Sequence, residues 1–176
     1  MNEQDSTVTI RPATDADAVL FWRLWTDIET QRFTNTPRLD LPWEEHLHWF
    51  ARQIDGGGAF VIEEEEGPVD DYSVLPGLPC VKRPVGIVRF DDDGGDLWVS
   101  IVLDPATRGR HIGRRALNQV AVLSPGRRTP GIWARIHRLN APSIRAFEAA
   151  GYVCDRADGV WLIYVWRHTP GTREHL

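Results

Sequence analysis

The feature that most constrains this chain is an apolar run that leads, through a glycine- and arginine-rich loop, into a helical pattern. Residues 98–103 predict a buried strand, and apolar residues recur at helical spacing up to about residue 123. The loop between them, residues 108–113, reads RGRHIG. A loop of this kind presents backbone N–H groups, a positive helix end and cationic side chains together, which suits a phosphate. We therefore expect a phosphate-bearing ligand at this loop.

The charge of the chain divides close to the same loop. The net charge is −5, but residues 1–103 contain 8 basic and 20 acidic side chains, whereas residues 104–176 contain 12 and 5. A basic region on an acidic protein favours a discrete anionic ligand. It does not favour nucleic acid as a partner, because the chain has no basic helix and no arginine-rich tail.

Composition indicates a single globular domain over residues 1–176. The chain is 42% apolar and 26% charged, as is ordinary for such a domain, and contains no repeat or linker. The polar start is unlike a signal peptide, and no apolar run reaches the roughly 18 residues that span a membrane. Cys80 and Cys154 belong to no paired motif, so we expect buried free thiols in a cytoplasmic protein. We expect no bound metal.

Hydrophobic periodicity predicts a mixed α/β architecture. Strands are predicted at residues 8–11, 59–62, 85–90, 98–103, 132–137, 152–154 and 160–166. Helices are predicted from residue 14 or 15 to 25, from 42 to the glycines at 56–58, from about 110 to 123, and from 140 to 150. Between these elements we expect turns at residues 30–41, a solvated strand end at 63–66, an excursion at 67–84 and a hairpin turn at 91–95.

A second pattern consists of Asn140, Ser143, Phe147, Gly151 and Tyr152. It fits Asn-x-x-Ser/Ala-x-x-x-aromatic-x-x-x-Gly-aromatic, and the loop at 108–113 fits Arg/Gln-x-x-Gly-x-Gly/Ala. Together the two patterns resemble the GNAT superfamily of acyl-CoA-dependent N-acetyltransferases, and the order of elements agrees over almost the whole chain. The resemblance implies a mostly antiparallel sheet of about seven strands, flanked by four helices and splayed between strands 4 and 5.

The resemblance also implies acetyl-CoA as the cofactor and suggests where it binds. Loop amides and Arg108 would hold the pyrophosphate, while free backbone groups of Ile101 and Leu103 would pair with the pantetheine amides. Charge-assisted bonds to phosphate oxygens would come from Arg110 and Arg114. The full set of implied cofactor contacts is Ile101, Leu103, Arg108, Gly109, Arg110, His111, Gly113, Arg114, Asn140, Ser143, Arg145 and Phe147.

Two residues depart from the family pattern. His111 stands where the family has glycine, so it could tilt the loop, or its imidazole could donate to a phosphate. Phe147 stands where many members have a tyrosine that is proposed to protonate the departing thiolate, and phenylalanine has no proton to donate. Two simpler interpretations stay open: Asn140 also fits a helix N-cap, and Arg108 and Arg110 also fit ordinary surface charges.

The activity implied by the resemblance is transfer of an acetyl group from acetyl-CoA to a primary amine of a small molecule. The acceptor would be an amino sugar or an amine metabolite, and the amine would attack directly in a ternary complex. Two alternatives stay open, namely a protein N-terminal or lysine acetyltransferase and a non-catalytic acyl-CoA-binding domain. The protein would be a monomer or a homodimer, with no membrane or nucleic-acid partner.

The resemblance also implies that the backbone N–H of Leu103 polarises the thioester carbonyl. Ser100, in the strand that precedes the loop, would hold a water that takes the proton of the amine. Further candidates for the base are His46, His48 and the aspartates at 91–93. The acceptor substrate would contact Trp25, Phe33 and His46.

Overall fold

The computed structural model describes residues 6–66, 81–123 and 131–167, which form a layered α/β fold. Its strands are β1 (Val8–Pro12), β2 (Ala59–Glu66), β3 (Val81–Asp93), β4 (Asp96–Leu103), β5 (Ile132–His137), β6 (Val153–Asp158) and β7 (Trp161–Trp166). Its α-helices are α1 (Ala18–Trp25), α2 (Ile28–Gln31), α3 (Trp43–Asp55), α4 (Ile112–Leu123) and α5 (Ala141–Ala149).

The strands form one sheet in the order β1-β2-β3-β4-β5-β7-β6. Every neighbouring pair is antiparallel except β4 and β5, which are parallel and pair only at Leu97 with Ile132 and at Trp98 with Trp133. Beyond Trp98 the two strands are no longer paired, although β4 continues to Leu103. The predicted seven-stranded, mostly antiparallel sheet with a splay between strands 4 and 5 is confirmed.

Helices cover the two faces of the sheet, and the alternation of side chains along the strands separates two cores. On one face α4 and α5 bury Ile112, Leu117 and Phe147 against β3, β4, β5 and β7. On the other face α1 and α3 bury Phe21 and Phe50 against β2 and β3. Each such side chain contributes about 1.5–3 kcal/mol when it is fully buried. The two cores hold the diverging strands between them.

The acidic run at residues 63–66 is not a solvated strand end as predicted, because Glu64 is only 1% exposed. Its Oε1 accepts hydrogen bonds from Ser6 Oγ at 2.6 Å and from Arg110 Nη2 at 2.7 Å. A buried carboxylate requires such partners to offset the loss of its hydration. The partner, Arg110, is distant in sequence, so the charge run alone gave no sign of the pairing.

Other departures from the predicted elements are local. The segment predicted as turns begins with the single-turn helix α2, whose N-cap Asp27 accepts a hydrogen bond from Thr30 N at 2.9 Å. With α2, the described ranges contain five α-helices, where four were expected. The aspartates at 91–93 belong to β3, so the hairpin turn narrows to Gly94 and Gly95, whose φ angles are 63° and 95°. Pairing with β4 overrides the weak strand propensity of aspartate.

The remaining differences concern element ends and the cysteines. Helix α4 starts at Ile112 rather than near residue 110, and β6 extends to Asp158. Cys154 is exposed rather than buried, because it lies on the edge strand β6. Cys80 and most of the predicted excursion at 67–84 lie outside the described residues. In the described part of the chain, none of the helices is long and apolar enough to cross a membrane.

An ion pair with a buried carboxylate joins the start of the first helical segment to the edge of the sheet. Asp17 is 7% exposed. Each oxygen of its carboxylate accepts a hydrogen bond of 2.8 Å from one terminal nitrogen of Arg11. The backbone N–H and the hydroxyl of Thr14 add bonds of 2.8 and 3.0 Å. Arg11 also donates through Nε to Glu63 on β2 at 2.7 Å. The guanidinium of Arg11 is the main reason that the pKa of Asp17 is lowered to about 2.

Replacing Asp17 with asparagine should therefore lower the free energy of unfolding at pH 7 by about 1–3 kcal/mol. The pKa of Asp17 is lower in the folded than in the unfolded protein, so its stabilisation is present above the ordinary pKa of 3.8. That stabilisation is lost as the pH falls toward 2. Urea denaturation should therefore show a wild-type advantage at pH 7 that narrows by pH 3. The exposed Asp15→Asn variant is the control, and an equal stability of Asp17→Asn and wild type at pH 7 would contradict the assignment.

Candidate active site

A cavity of about 930 Å³ opens where β4 and β5 diverge. One end is bordered by the loop before α4 and by the start of α5. The other end is bordered by α1, α2 and the ends of β3, β5 and β7. The cavity therefore passes through the sheet and joins the predicted phosphate loop to an aromatic-rich region on the opposite side.

The free edge of β4 faces this gap. Asp104 N donates to Val85 O on β3 at 2.9 Å, so this N–H points toward β3. Because backbone N–H groups alternate in direction along a strand, we infer that those of Leu103 and Ile101 point toward the gap. Both residues line the cavity. The splay thus leaves the backbone N–H groups of Ile101 and Leu103 without a strand partner, which suits an extended, amide-containing ligand.

Most of the predicted cofactor contacts lie together at the loop end of the cavity. The members that line it are Ile101, Leu103, Arg108, Gly109, His111, Gly113, Arg114, Asn140, Ser143, Arg145 and Phe147. Arg110 is absent from this wall because its Nη2 is 2.7 Å from the buried Glu64 Oε1. The acidic side chains that line the cavity, Glu29, Asp91 and Asp93, belong to α2 and β3 at the other end. Arg108, Arg114 and Arg145 line the loop end, and Arg89 and Arg135 line the other end.

The loop itself turns through two left-handed residues. Gly109 has a φ of 80°, and His111 has a φ of 58° and is the one non-glycine residue with a positive φ in the described ranges. A side chain costs roughly 1–2 kcal/mol in this conformation, which explains the glycine in the family pattern. The backbone of His111 nevertheless adopts the conformation that glycine would adopt. The substitution therefore strains the loop rather than redirecting it.

Arg108 is hydrogen-bonded to α2 across the gap. Its Nη2 donates to Asp27 Oδ2 at 3.1 Å and to Thr30 Oγ1 at 3.2 Å, and its Nε donates to Leu103 O at 3.3 Å. Burial acts to raise the pKa of Asp27, but hydrogen bonds from Thr30 and Arg108 lower it below its ordinary value overall. Arg108 thus connects the loop, the free strand edge and α2.

The second motif places Asn140 and Phe147 on α5 and at its start. Asn140 is the helix N-cap, since its Oδ1 accepts a hydrogen bond from Ser143 N at 3.2 Å, and it also lines the cavity. Phe147 is a core residue that packs edge-on against Tyr152, with ring centroids 4.9 Å apart. Burial raises the pKa of Tyr152, and its hydroxyl does not line the cavity. Tyr152 therefore does not replace the hydroxyl that Phe147 lacks.

The end of the cavity that α1, α2 and the ends of β3, β5 and β7 border is called the acceptor end below. Two of the three predicted substrate contacts reach it. Trp25 and Phe33 line it, whereas His46 does not. His46 is fully buried between α1 and α3, and its Nε2 donates to Ala18 O at 2.8 Å. Burial lowers the pKa of His46, so its ring is neutral. The periodicity of the sequence correctly placed His46 on a helix. It could not decide whether this side of the helix faces the core or a substrate.

Some of the catalytic candidates line the cavity and others do not. Ser100 lines the cavity, and so do Asp91 and Asp93. His48 is exposed on α3 and does not line the cavity.

Several residues at the acceptor end escaped the sequence prediction: Arg89, Trp98, Arg135, His137 and Trp161. Strand alternation could have indicated those on β5, because Ile132, Ala134 and Ile136 enter the core while the residues between them face the other way. His137 accepts a hydrogen bond at Nδ1 from Leu139 N at 3.2 Å. The ring nitrogen that can donate to a ligand is therefore Nε2. Within the described ranges, no group of three His, Cys, Asp or Glu side chains could hold a metal ion.

Comparison with known proteins agrees with this geometry. The model of the acetyltransferase (GNAT) domain matches residues 7–153. YwnH of Bacillus subtilis (strain 168), a proposed phosphinothricin acetyltransferase, is 22% identical over 148 residues, which cover 82% of this chain and 83% of that protein.

Two solved structures share the fold. The first is yncA of Salmonella typhimurium, a proposed acetyltransferase solved with its cofactor acetyl-CoA. Its TM-score is 0.68 at 18% identity, over 94% of this chain and 96% of that chain. The second is the spermidine N-acetyltransferase of Vibrio cholerae in complex with CoA and spermine. Its TM-score is 0.66 at 13% identity, over 90% and 92% of the two chains. With the family model matching most of its length, this chain belongs to the GNAT acetyltransferase family.

Proposed function

We propose that this protein transfers an acetyl group from acetyl-CoA to a primary amine of a small molecule. The observation that carries the proposal is the cavity through the sheet, which joins the basic loop end to the aromatic acceptor end. The structures of yncA with acetyl-CoA and of the spermidine N-acetyltransferase with CoA and spermine support the same pairing of cofactor and acceptor. The aromatic lining and the limited volume favour a small acceptor.

The residues at the loop end fit the phosphate groups of acetyl-CoA. Arg108, Arg114 and Arg145 line this end, while the acidic side chains of the cavity lie at the other end. Loop amides at the start of α4 add the positive end of the helix dipole. Arg108 can share its guanidinium between Asp27 and a phosphate, since it presents five donors in a planar fork.

The free edge of β4 fits the pantetheine arm and the reacting carbonyl. Bound acetyl-CoA supplies a thioester, whose C–S bond breaks as the amine nitrogen bonds to the acetyl carbon, with one proton leaving nitrogen and one reaching sulfur. We assign the gap-facing N–H of Leu103 to the carbonyl oxygen, where it stabilises developing negative charge. Ile101 pairs with the pantetheine amides.

Proton transfer is assigned to the acceptor face. Ser100 holds a water that accepts the amine proton, and the carboxylate of Asp93 lines the same cavity. Phe147 has no proton to give, so we assign the proton that reaches sulfur to water. Isothermal calorimetry with acetyl-CoA, followed by a thiol-release assay over an amine panel, tests this function. Binding without turnover would favour a non-catalytic acyl-CoA-binding domain instead.

Arg108 and Arg110 should differ in their effect on cofactor affinity. Arg108→Ala should weaken acetyl-CoA binding by about 1.5–3 kcal/mol, because it removes a charged donor from the cavity wall. Arg110→Ala should leave the affinity nearly unchanged but lower the melting temperature, because it leaves buried Glu64 without its counter-charge. Calorimetry and thermal unfolding of both variants measure the two effects. A larger loss of affinity in Arg110→Ala than in Arg108→Ala would contradict the placement of the phosphates.

His111→Gly should relieve backbone strain in the loop. Glycine adopts a φ of 58° without steric cost, and this gain offsets the greater freedom of glycine in the unfolded chain. We expect a free energy of unfolding equal to or up to about 1 kcal/mol above that of wild type, and tighter binding of acetyl-CoA.

The control for His111→Gly is Ala106→Gly, a change at an exposed position in the short helical turn before the loop. It lacks a positive φ and should lose roughly 0.5–1 kcal/mol of stability. Urea denaturation and calorimetry compare the two variants. Equal destabilisation by both would show that position 111 is not strained, and weaker cofactor binding by His111→Gly would assign a direct phosphate contact to the imidazole.

A further inference from the structure

The acceptor end of the cavity contains a fixed guanidinium. Arg89 lies on β3, and its Cζ is 4.8 Å from the ring centroid of Trp25 and 5.6 Å from that of Trp49. Its side chain is 19% exposed, and its Nε is 2.8 Å from Asp91 Oδ2. Gln53 Nε2 in turn donates to Asp91 Oδ1 at 3.2 Å. These contacts hold the arginine in place against the tryptophans.

The donors of this guanidinium lack acceptors among the described residues. The contact between Nε and Asp91 is an ion pair without hydrogen-bond alignment, and Nε is buried. The terminal nitrogens likewise have no hydrogen-bond acceptor in the described part of the chain, and Arg89 lines the cavity. Asp91 compensates the charge beside Nε, but the terminal nitrogens keep their donors open to a ligand in the cavity, and such donors favour an anionic group rich in acceptors. The planar fork of the guanidinium matches a carboxylate.

We propose that the acceptor is an amine that also carries a carboxylate, and that Arg89 binds this carboxylate. This inference rests on the proposed function and names the class of its acceptor. Arg89 lies directly opposite Ser100 in the β3–β4 register, so the two side chains share one face of the sheet. Leu103 is three residues further along β4, about 10 Å away at the usual rise of a strand. A small amino acid can span the reacting carbonyl and the guanidinium.

The charges around Arg89 favour a carboxylate over a second ammonium group. Arg89 neutralises Asp91, and Arg32 lies 3.8 Å from Glu29. Arg135 adds another cation to the same end, with its Cζ 5.4 Å from the ring centroid of Trp98. A polyamine would place its distal ammonium beside these arginines and be repelled. An amine with a carboxylate places opposite charge there instead.

Matched acceptor pairs test the inference. The thiol-release assay with acetyl-CoA would compare L-phenylalanine with phenethylamine and 6-aminohexanoate with hexylamine, and would include spermidine. For at least one pair, the kcat/KM of wild type should be tenfold or more higher for the member with the carboxylate. One charged hydrogen bond accounts for a factor of roughly ten. 3-Phenylpropionate, which has the carboxylate but no amine, should inhibit competitively against the preferred amine.

Variants at Arg89 separate a carboxylate contact from a structural role. In Arg89→Gln the ratio of kcat/KM between the two members of a pair should fall toward one, mainly because KM rises for the member with the carboxylate. Inhibition by 3-phenylpropionate should disappear. Arg89→Lys should recover part of the preference, because it keeps the charge but not the fork. The matched control is Arg156→Gln, whose guanidinium also lies over a tryptophan, 5.8 Å from Trp133, and also pairs with an aspartate. Arg156 does not line the cavity, so its variant should keep the preference.

The outcomes distinguish this inference from the function on which it rests. Equal use of both members of each pair, or a preference for spermidine, overturns the carboxylate inference and leaves the acetyltransferase intact. A preference that persists unchanged in a folded Arg89→Gln variant, as judged by thermal unfolding, also overturns it. If acetyl-CoA binds but no amine in the panel is acetylated, the proposed function fails and the inference fails with it.

Discussion

The rest of the site depends on the divergence of β4 and β5. The two strands pair only at Leu97 and Trp98, and beyond that point the edge of β4 has no strand beside it. Unpaired backbone groups within a sheet require partners, because leaving them desolvated costs free energy. The core on one face includes residues of both strands, Leu97 and Val99 of β4 and Ile132, Ala134 and Ile136 of β5. The gap then becomes a passage with a basic end and an aromatic end.

Ion pairs across the chain hold the loop in its place beside this gap. Asp104 accepts from Arg23 at 2.8 Å, Arg108 pairs with Asp27, and Arg110 pairs with Glu64. Each pair joins the acidic first half of the sequence to the basic second half. The charge asymmetry therefore has two origins, since some of the basic residues serve internal pairing and others, such as Arg114 and Arg145, remain at the cavity wall. The pairs of Arg23 with Asp104 and of Arg108 with Asp27 are partly exposed and contribute little individually to stability, so their main effect is to position the loop. Arg110 also compensates the buried Glu64.

The sequence predicted the sheet, the principal helices and the loop end of the cavity because these follow from local periodicity and short motifs. It could not predict that Glu64 is buried, since the arginine that compensates it lies 46 residues away in the chain. It placed His46 at the substrate and missed Arg89, because only tertiary packing decides which side of a helix or strand meets the cavity. His111 shows the reverse case, where the motif marked a departure from glycine and the backbone angle gave its physical meaning.

We propose that the free edge of β4 receives acetyl-CoA. Residue-resolved amide hydrogen exchange with and without acetyl-CoA would detect this contact, because the N–H groups of Ile101 and Leu103 have no strand beside them. Binding should slow exchange at these two amides strongly, while Val102, whose N–H points toward β3, should change little. Bound acetyl-CoA with unchanged exchange at Ile101 and Leu103 would contradict the account.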